Sequence, residues 1–471
     1  MFQTALLTDS DVEKLAEGVF HVLERVGILC QNEDILRALQ AEGARVDYQT
    51  EMVRFPREMV ARYVESFRRE GSTDPGTGHM RFAAPGLPGL GTQVAQFYHD
   101  PDTWERRSGN RRDLITLAKF GDVLHGRSSV GHALLCADAP PLLEPLEAAL
   151  ILAEYAHVPG PAFAWNVRQA GYLAEMGEVL GLERWYTWGA ICFAHPLRFD
   201  RDCADRFVLR VREGEPTGFT AMPVAGVTTP ITLEGFVVVT SAEHVATWIA
   251  ARALNPSVGL SGSTWGGTID MKTGSISYAA FDAMLYSFAS VEFLRRWCGI
   301  SIAASGADYC DAREPGLYAA LEKANKAMMI AAFTGRHPGC GSGMVDDGKV
   351  LSPVQLLIER DLATGVQHLA RTLAPTADSI ALPTIEEVGT GLTTNFLQSE
   401  HTLRNYRANC WIPELIDRSG WRGQQSEAQV VDAARHKFHS LLEQYEKPEG
   451  REEQLAALRA IIERARGELL G

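Results

Sequence analysis

Asp346 and Asp347 stand side by side in GCGSGMVDDGKVLSPVQL, residues 339–356, where Gly343 is followed by four residues and then Gly348-Lys349. A phosphate-binding P-loop uses that spacing: backbone amides and a lysine cradle phosphates, and a Ser or Thr after the lysine holds magnesium. Val350 takes the hydroxyl's place, and both carboxylates fall where a phosphate would lie. The charges argue against a nucleotide. Loop carboxylates suit the opposite ligand, since they hold a cation or accept a proton. Asp308, in ASGADYC, is a third acid of this kind.

Other chemistries find little support. The eight cysteines are scattered and never spaced CxxC, which points to reduced cytosolic thiols rather than a disulfide framework or a zinc site. No GxSxG is present, and no Ser-His-Asp arrangement follows from spacing. A Schiff-base lysine is poorly supported, because the expected strands carry none and Lys349 sits in a loop.

Positioning these residues requires a scaffold, and the hydrophobic pattern supplies one. Apolar runs start at residues 91, 129, 161, 186, 217, 257, 299 and 337, with helical stretches such as ISYAAFDAMLYSFASVEFLRRW between them. Strand and helix alternating at this interval predict parallel βαβ units. Eight units with a last helix, SPVQLLIERDLATGVQHLARTL, match an α/β chain of the (β/α)8 TIM barrel type over residues 89–375. That helix is expected to start at Ser352 as N-cap, Pro353 at the first position and Gln355 completing a capping box. A doubly wound sheet is the alternative, weakened by the lack of GxGxxG after the first strand.

Residues 1–88 read as an N-terminal helical cap, with a short hairpin at RVDYQTEMVRF and a Gly/Pro-rich linker. Residues 376–471 read as a C-terminal helical extension that packs on the barrel or on a second subunit. A homo-oligomer is expected.

In a barrel the active site lies at the C-terminal ends of the strands. Those ends offer Tyr98, Trp165, His195, Trp265, Asp308, Tyr309, Asp346 and Asp347. They are rich in aromatics and poor in strong nucleophiles. Ring faces attract quaternary ammonium groups by about 0.5–2 kcal/mol each, so an aromatic wall with scattered carboxylates predicts a cation pocket. The formal charge of −14 argues against nucleic acid. The N-terminus lacks a basic leader, and no run of eighteen apolar residues appears; a cytoplasmic protein without a membrane span is expected.

The segments PVAGVTTPITLEG, GSTWGGTIDMKTG, YAALEKANKAMMIAAFTG, HTLRNYR and VFHVLERVGILCQNEDILRALQAEGARVD resemble the trimethylamine methyltransferase family, in the family's order and over about residues 10–420. The resemblance implies a (β/α)8 barrel that passes a methyl group from a methylated amine to a corrinoid protein. Founding members carry pyrrolysine, whereas every position here is a standard residue. The chain therefore resembles the branch acting on quaternary amines such as glycine betaine. On that resemblance Tyr98, Trp165, Trp265 and Tyr309 would hold the trimethylammonium, His195 or Arg313 the betaine carboxylate, and Asp308 and Asp346 would add electrostatic attraction as the catalytic acids. No DxHxxG run is present, so the corrinoid, a cobalamin, is expected on a partner protein. The alternatives are another small methylated substrate, such as a sulfonium, and a non-catalytic binder of a cationic osmolyte. The sequence departs from the family at two places: GLTTNFLQSEHT stands where GGHFLGHPHT is usual, and Asp346-Asp347-Gly348 where Glu-Ser-Gly is usual.

Overall fold

A computed structural model describes residues 5–71, 86–188, 191–304, 308–334, 337–371, 374–418 and 427–471. The first helix, α1 (Asp9–His21), is started by a reciprocal cap in which the Asp11 amide donates to Thr8 Oγ1 at 3.2 Å and the Thr8 amide to Asp11 Oδ2 at 2.9 Å. Gly27 then turns the chain at φ +78, where any Cβ would lie 2.0 Å from the Val53 carbonyl oxygen. Asn32 caps α2 (Glu33–Ala41). The expected hairpin is present as Arg45–Asp47 against Met52–Arg54, extended by Ile28–Cys30. With α3 (Arg57–Gly71), these elements share one core with the middle of the chain. Phe67 meets Trp248 edge-on, and Phe20 meets Trp297. The cap is thus fused to the body by burial.

The middle of the chain is mixed α/β, with short strands and long helices. The helices are α4 (Arg111–Leu124), α5 (Glu144–Tyr155), α6 (Val167–Leu180), α7 (Arg201–Arg212), α8 (Leu233–Leu254), α9 (Phe281–Cys298), α10 (Leu317–Thr334) and α11 (Pro353–Leu369). Seven of the eight expected strand regions join in chain order by parallel contacts: Ala95 to Leu134, Val130 to Pro159, Ala162 to Tyr186, Ile191 to Phe219, Gly262 to Phe219 and Ser263 to Ala303. Sequential parallel pairing is what helical crossovers impose.

The eighth region departs from expectation. Gly339, Gly341 and Gly343 all take positive φ, which breaks an extended run. Only Met344–Val345 is strand there, paired antiparallel with Val350–Leu351. Val350–Leu351 in turn runs parallel to Phe97–Tyr98, in a separate four-stranded sheet. No closed ring of strands is assigned among the described residues, and the eighth region reaches the first through Gln93 Nε2 donating to Ser342 O at 3.4 Å.

Beyond α11 come α12 (Ala377–Ile380), α13 (Leu382–Val388), α14 (Glu400–Asn409), α15 (Glu427–Glu443) and α16 (Glu452–Leu470). The last two pack on the body. Phe438 of α15 meets Phe120 of α4 edge-on, and Leu458 and Ile462 of α16 are buried in the larger core. All eight cysteines are unpaired.

Candidate functional site

The acid loop is built on a buried polar network. Lys323, on the inner face of α10, is fully buried; its Nζ ion-pairs with Glu359 Oε1 of α11 and donates to the Met344 carbonyl. Glu359 also accepts from the Gly343 amide at 2.7 Å and from Gln355 Nε2 at 2.8 Å. Gln355 Oε1 accepts the Gly316 amide at 2.8 Å. Ser352 caps α11 as expected, with the Gln355 amide donating to its Oγ. The capping box is absent because the Gln355 side chain is drawn into this network. Buried charge is tolerated only when paired and hydrogen-bonded in this way.

On this base, Asp346 and Asp347 both sit in the left-handed region, at φ 53 and 52. The Asp346 amide donates to Ala312 O and the Asp347 amide to Cys310 O, each at 2.8 Å. Those bonds offset a conformation that costs an L-residue roughly 1–2 kcal/mol. They also clamp the acid loop to the segment after Tyr309.

Three rings stand beside the acids. Trp265 meets Tyr309 edge-on, centroids 4.7 Å apart, and Tyr309 meets Tyr278 at 5.8 Å. Gly348, at φ +75, lies so close that a Cβ would fall 2.1 Å from a Tyr309 ring carbon. Burial pushes the Tyr278 hydroxyl up to about 12, so this ring stays neutral and electron-rich. A pocket of ≈ 840 Å³ opens here, with Tyr278, Asp311, Arg313, Asp346, Asp347 and Lys349 in its wall. Asp346 pairs with Arg106 at 2.9 Å, and the Tyr278 amide points at Asp347 Oδ1 at 3.4 Å.

The electrostatics follow from burial. Desolvation, with the neighbouring Asp311 adding to it, pushes the Asp347 carboxyl up to about 6. Asp308 is raised by burial. Lys326 of α10 is fully buried, its Nζ donates to Tyr278 O at 2.8 Å, and burial lowers it to about 8. Asp347 is neutral well below pH 6 and anionic above it. Affinity for a cationic ligand is therefore expected to climb as pH rises through about 6, and Asp347→Asn to flatten that profile. Titration calorimetry from pH 5 to pH 8 checks it, and a pH-independent affinity contradicts the assignment. For stability the sign is opposite: a carboxyl raised on folding contributes most below its unfolded value of 3.8, and that contribution is lost as pH rises through about 6.

The structure brings Arg313 and Asp346 into the pocket wall, with Tyr309 against the lining Tyr278, Trp265 against Tyr309, and Asp308 next to Tyr309 in the chain. It places three other expected residues elsewhere. Tyr98 is buried in the core, with the Arg107 guanidinium 5.3 Å from its ring centroid. His195 has both ring nitrogens engaged, Nδ1 with Glu243 Oε2 at 2.8 Å and Nε2 accepting the Met222 amide at 3.0 Å. It braces a turn and leaves no nitrogen for a carboxylate. Trp165 lies against Phe163 in a second pocket of ≈ 630 Å³ that also holds Phe97, Cys136 and Glu144. Arg106 links the two pockets, since its guanidinium stacks 3.9 Å from the Phe97 centroid and pairs with Asp346.

Sequence reasoning missed Tyr278, Lys323 and Lys326. The available signal was the pair of lysines three apart in ALEKANKAMMIAAF, one helical turn apart and followed by seven small or apolar residues. Among the described residues no cluster of His, Cys, Asp and Glu is placed to hold a metal ion.

A family model described as trimethylamine methyltransferase (MTTB) matches residues 1–469. The chain is 25% identical over 490 residues to the trimethylamine methyltransferase MttB of Desulfitobacterium hafniense (strain DSM 10664 / DCB-2), covering 99% of this chain and 95% of that one. It is 24% identical over 471 residues to a glycine betaine methyltransferase of D. hafniense (strain Y51), covering 97% and 96%. It is 26% identical to trimethylamine methyltransferase MttB2 of Methanosarcina mazei, over 58% of this chain and 55% of that one.

Proposed function

Because the chain belongs to the trimethylamine methyltransferase family, we propose that it moves a methyl group from a quaternary amine, a glycine betaine-like zwitterion, to the reduced corrinoid of a separate protein. The observation that carries this reading is the run of Trp265, Tyr309 and Tyr278, whose last ring lines one pocket with Asp347 and Arg313. The seven regions paired in parallel are read as most of a (β/α)8 barrel, with the pocket at its C-terminal mouth. That placement accounts for why loops after successive strands converge on one cavity.

The residues divide the ligand by charge. Ring faces and the Asp347 carboxylate attract the trimethylammonium, which carries no N–H and so cannot be held by hydrogen bonds. Exposed Arg313 is the guanidinium suited to the ligand's carboxylate. Asp308, half-buried and with its carboxyl raised by desolvation, lies beside Tyr309 and adds to the acidic surroundings of that ring. A Co(I) corrinoid brought by the partner supplies the nucleophile for the N-methyl carbon. The chain's own task is to fix that carbon's direction and to strip water from the cation. A cytoplasmic site of action is part of the proposal; no helix among the described residues is long and apolar enough to cross a membrane.

The test is to mix the protein with a reduced corrinoid protein and glycine betaine and to follow Co(I) absorbance. Betaine-dependent loss of the Co(I) band together with release of dimethylglycine is expected. If betaine instead raises the melting temperature while Co(I) persists, the chain is a binder and the catalytic reading fails.

A further inference from the structure

The second pocket, of ≈ 630 Å³, opens where the first three strand regions end, between Phe97, the turn after Cys136 and the N-terminus of α6. Small-molecule sites span roughly 300–1,000 Å³ and combine an apolar wall with a few polar groups. Here Phe97, Leu135, Leu142 and Trp165 supply the apolar wall. Glu144 and Asp202 bring two acids, and no lysine, arginine or histidine lines the pocket among the described residues. Such a wall repels an anion and attracts a cation.

Glu144, the first residue of α5, is 4% exposed, and its two carboxylate oxygens differ. Oε1 accepts the Cys136 amide at 2.9 Å and His132 Nε2 at 3.0 Å. Oε2 is buried and has no hydrogen-bond partner among the described residues. His132 does not cancel the charge: its Nδ1 accepts the Phe163 amide at 3.4 Å, which puts the ring's proton on Nε2 and leaves the imidazole neutral. The amide side chains of the wall are committed as well. Gln169 Oε1 accepts the Trp165 amide at 2.9 Å and Gln169 Nε2 donates to Leu142 O at 3.1 Å, while Asn166 Oδ1 accepts the Gln169 amide at 3.0 Å. A buried oxygen left without a donor is costly and uncommon in a native fold. Glu144 Oε2 therefore calls for a donor from outside the chain.

We propose that this pocket is a binding site for a protonated amine that keeps at least one N–H and carries an apolar body. The N–H donates to Glu144 Oε2, and the body lies against Leu135, Leu142 and Trp165. Arg106 already covers Phe97, its guanidinium 3.9 Å from the centroid. Trp165, backed by Phe163 at 4.4 Å and 40% exposed, is the ring left to meet the charge. A quaternary ammonium of the same shape is refused, because it has no N–H and would leave Oε2 buried and unpaired. The two pockets thus sort cations by whether the nitrogen carries a hydrogen. Binding at Glu144 does not depend on the proposed activity.

Titration calorimetry of the full chain with cyclohexylammonium at neutral pH tests this. Saturable binding is expected, and Glu144→Gln is expected to weaken it about ten-fold or more. In that variant the amide oxygen stays with Cys136 and His132, and the NH2 group turns a donor toward the ligand. N,N,N-trimethylcyclohexylammonium has the same ring without an N–H, and Glu144→Gln is expected to leave its affinity unchanged. Trp165→Ala, at a half-exposed position, is expected to lower cyclohexylammonium affinity several-fold and reads the site if Glu144→Gln fails to fold. No saturable binding to the native chain would mean that water alone serves Oε2, and overturns the proposal. Binding that both substitutions leave intact also overturns it, since the amine then sits elsewhere. An equal loss for the quaternary analogue does the same, because Glu144 would then act only as a distant charge.

Discussion

Replacing Lys323 by methionine is expected to destabilise the protein by about 3–5 kcal/mol, the range for removing one partner of a buried ion pair. Methionine fills most of the lysine's volume, so little of the loss comes from a cavity. The loss comes from Glu359, left without its cation in a site with no water access. Burial already pushes that carboxyl upward against the pull of Lys323. Without the lysine Glu359 takes up a proton on folding, so the penalty is largest at high pH and shrinks as pH falls. The Met344 carbonyl loses its donor at the same time, which frees the strand leading into Asp346. Urea unfolding at pH 8 and pH 5 reads both effects. Glu359→Gln added to Lys323→Met should recover part of the loss, because a neutral amide needs no counter-charge. A loss below about 1 kcal/mol at pH 8, or one that grows on acidification, contradicts the pairing.

The sequence made the outline of this fold legible where local chemistry and tertiary structure agree. Ser352 and Pro353 start α11 as read, because N-cap and first-turn preferences are set within four residues. The strand–helix alternation from residue 91 appears as seven regions paired in parallel, since the apolar runs must be covered on both faces. Legibility fails where a choice depends on distant partners. Gln355 fits a capping box, yet its side chain goes to Gly316 and Glu359, which no local pattern announces. The run from His337 looks like a strand by composition, but three glycines at positive φ turn it into loop.

The site shows the same division. Residue types at the strand ends indicated rings and acids, and Trp265, Tyr309, Asp308 and Asp346 do gather. Side-chain direction was not readable, because shifting a strand's register by one residue exchanges inside for outside. Tyr98 therefore lies in the core, while its neighbour Phe97 lines a pocket. His195 was a candidate as a titratable group just past a strand, but Glu243 on α8, 48 residues later, claims its Nδ1.

Trp265→Ala is expected to weaken glycine betaine binding by about 2–3 kcal/mol, roughly 30- to 150-fold in Kd. The indole backs Tyr309, the ring that meets the pocket-lining Tyr278, and its loss accounts for up to about 2 kcal/mol. It is also the edge against which Tyr309 rests, so its removal lets that ring turn away from Asp347 and Gly348. Tyr309→Phe keeps the ring and the contact and is expected to cost far less. The discriminating measurement uses 3,3-dimethylbutyrate, which has betaine's shape and carboxylate but a neutral carbon in place of nitrogen. If the rings act through the positive charge, the native protein prefers betaine over this analogue, and Trp265→Ala loses most of that preference while binding of the analogue barely changes. Were both ligands weakened equally, Trp265 would be supplying only apolar area, and the attraction would have to come from Asp347 and Asp346 alone.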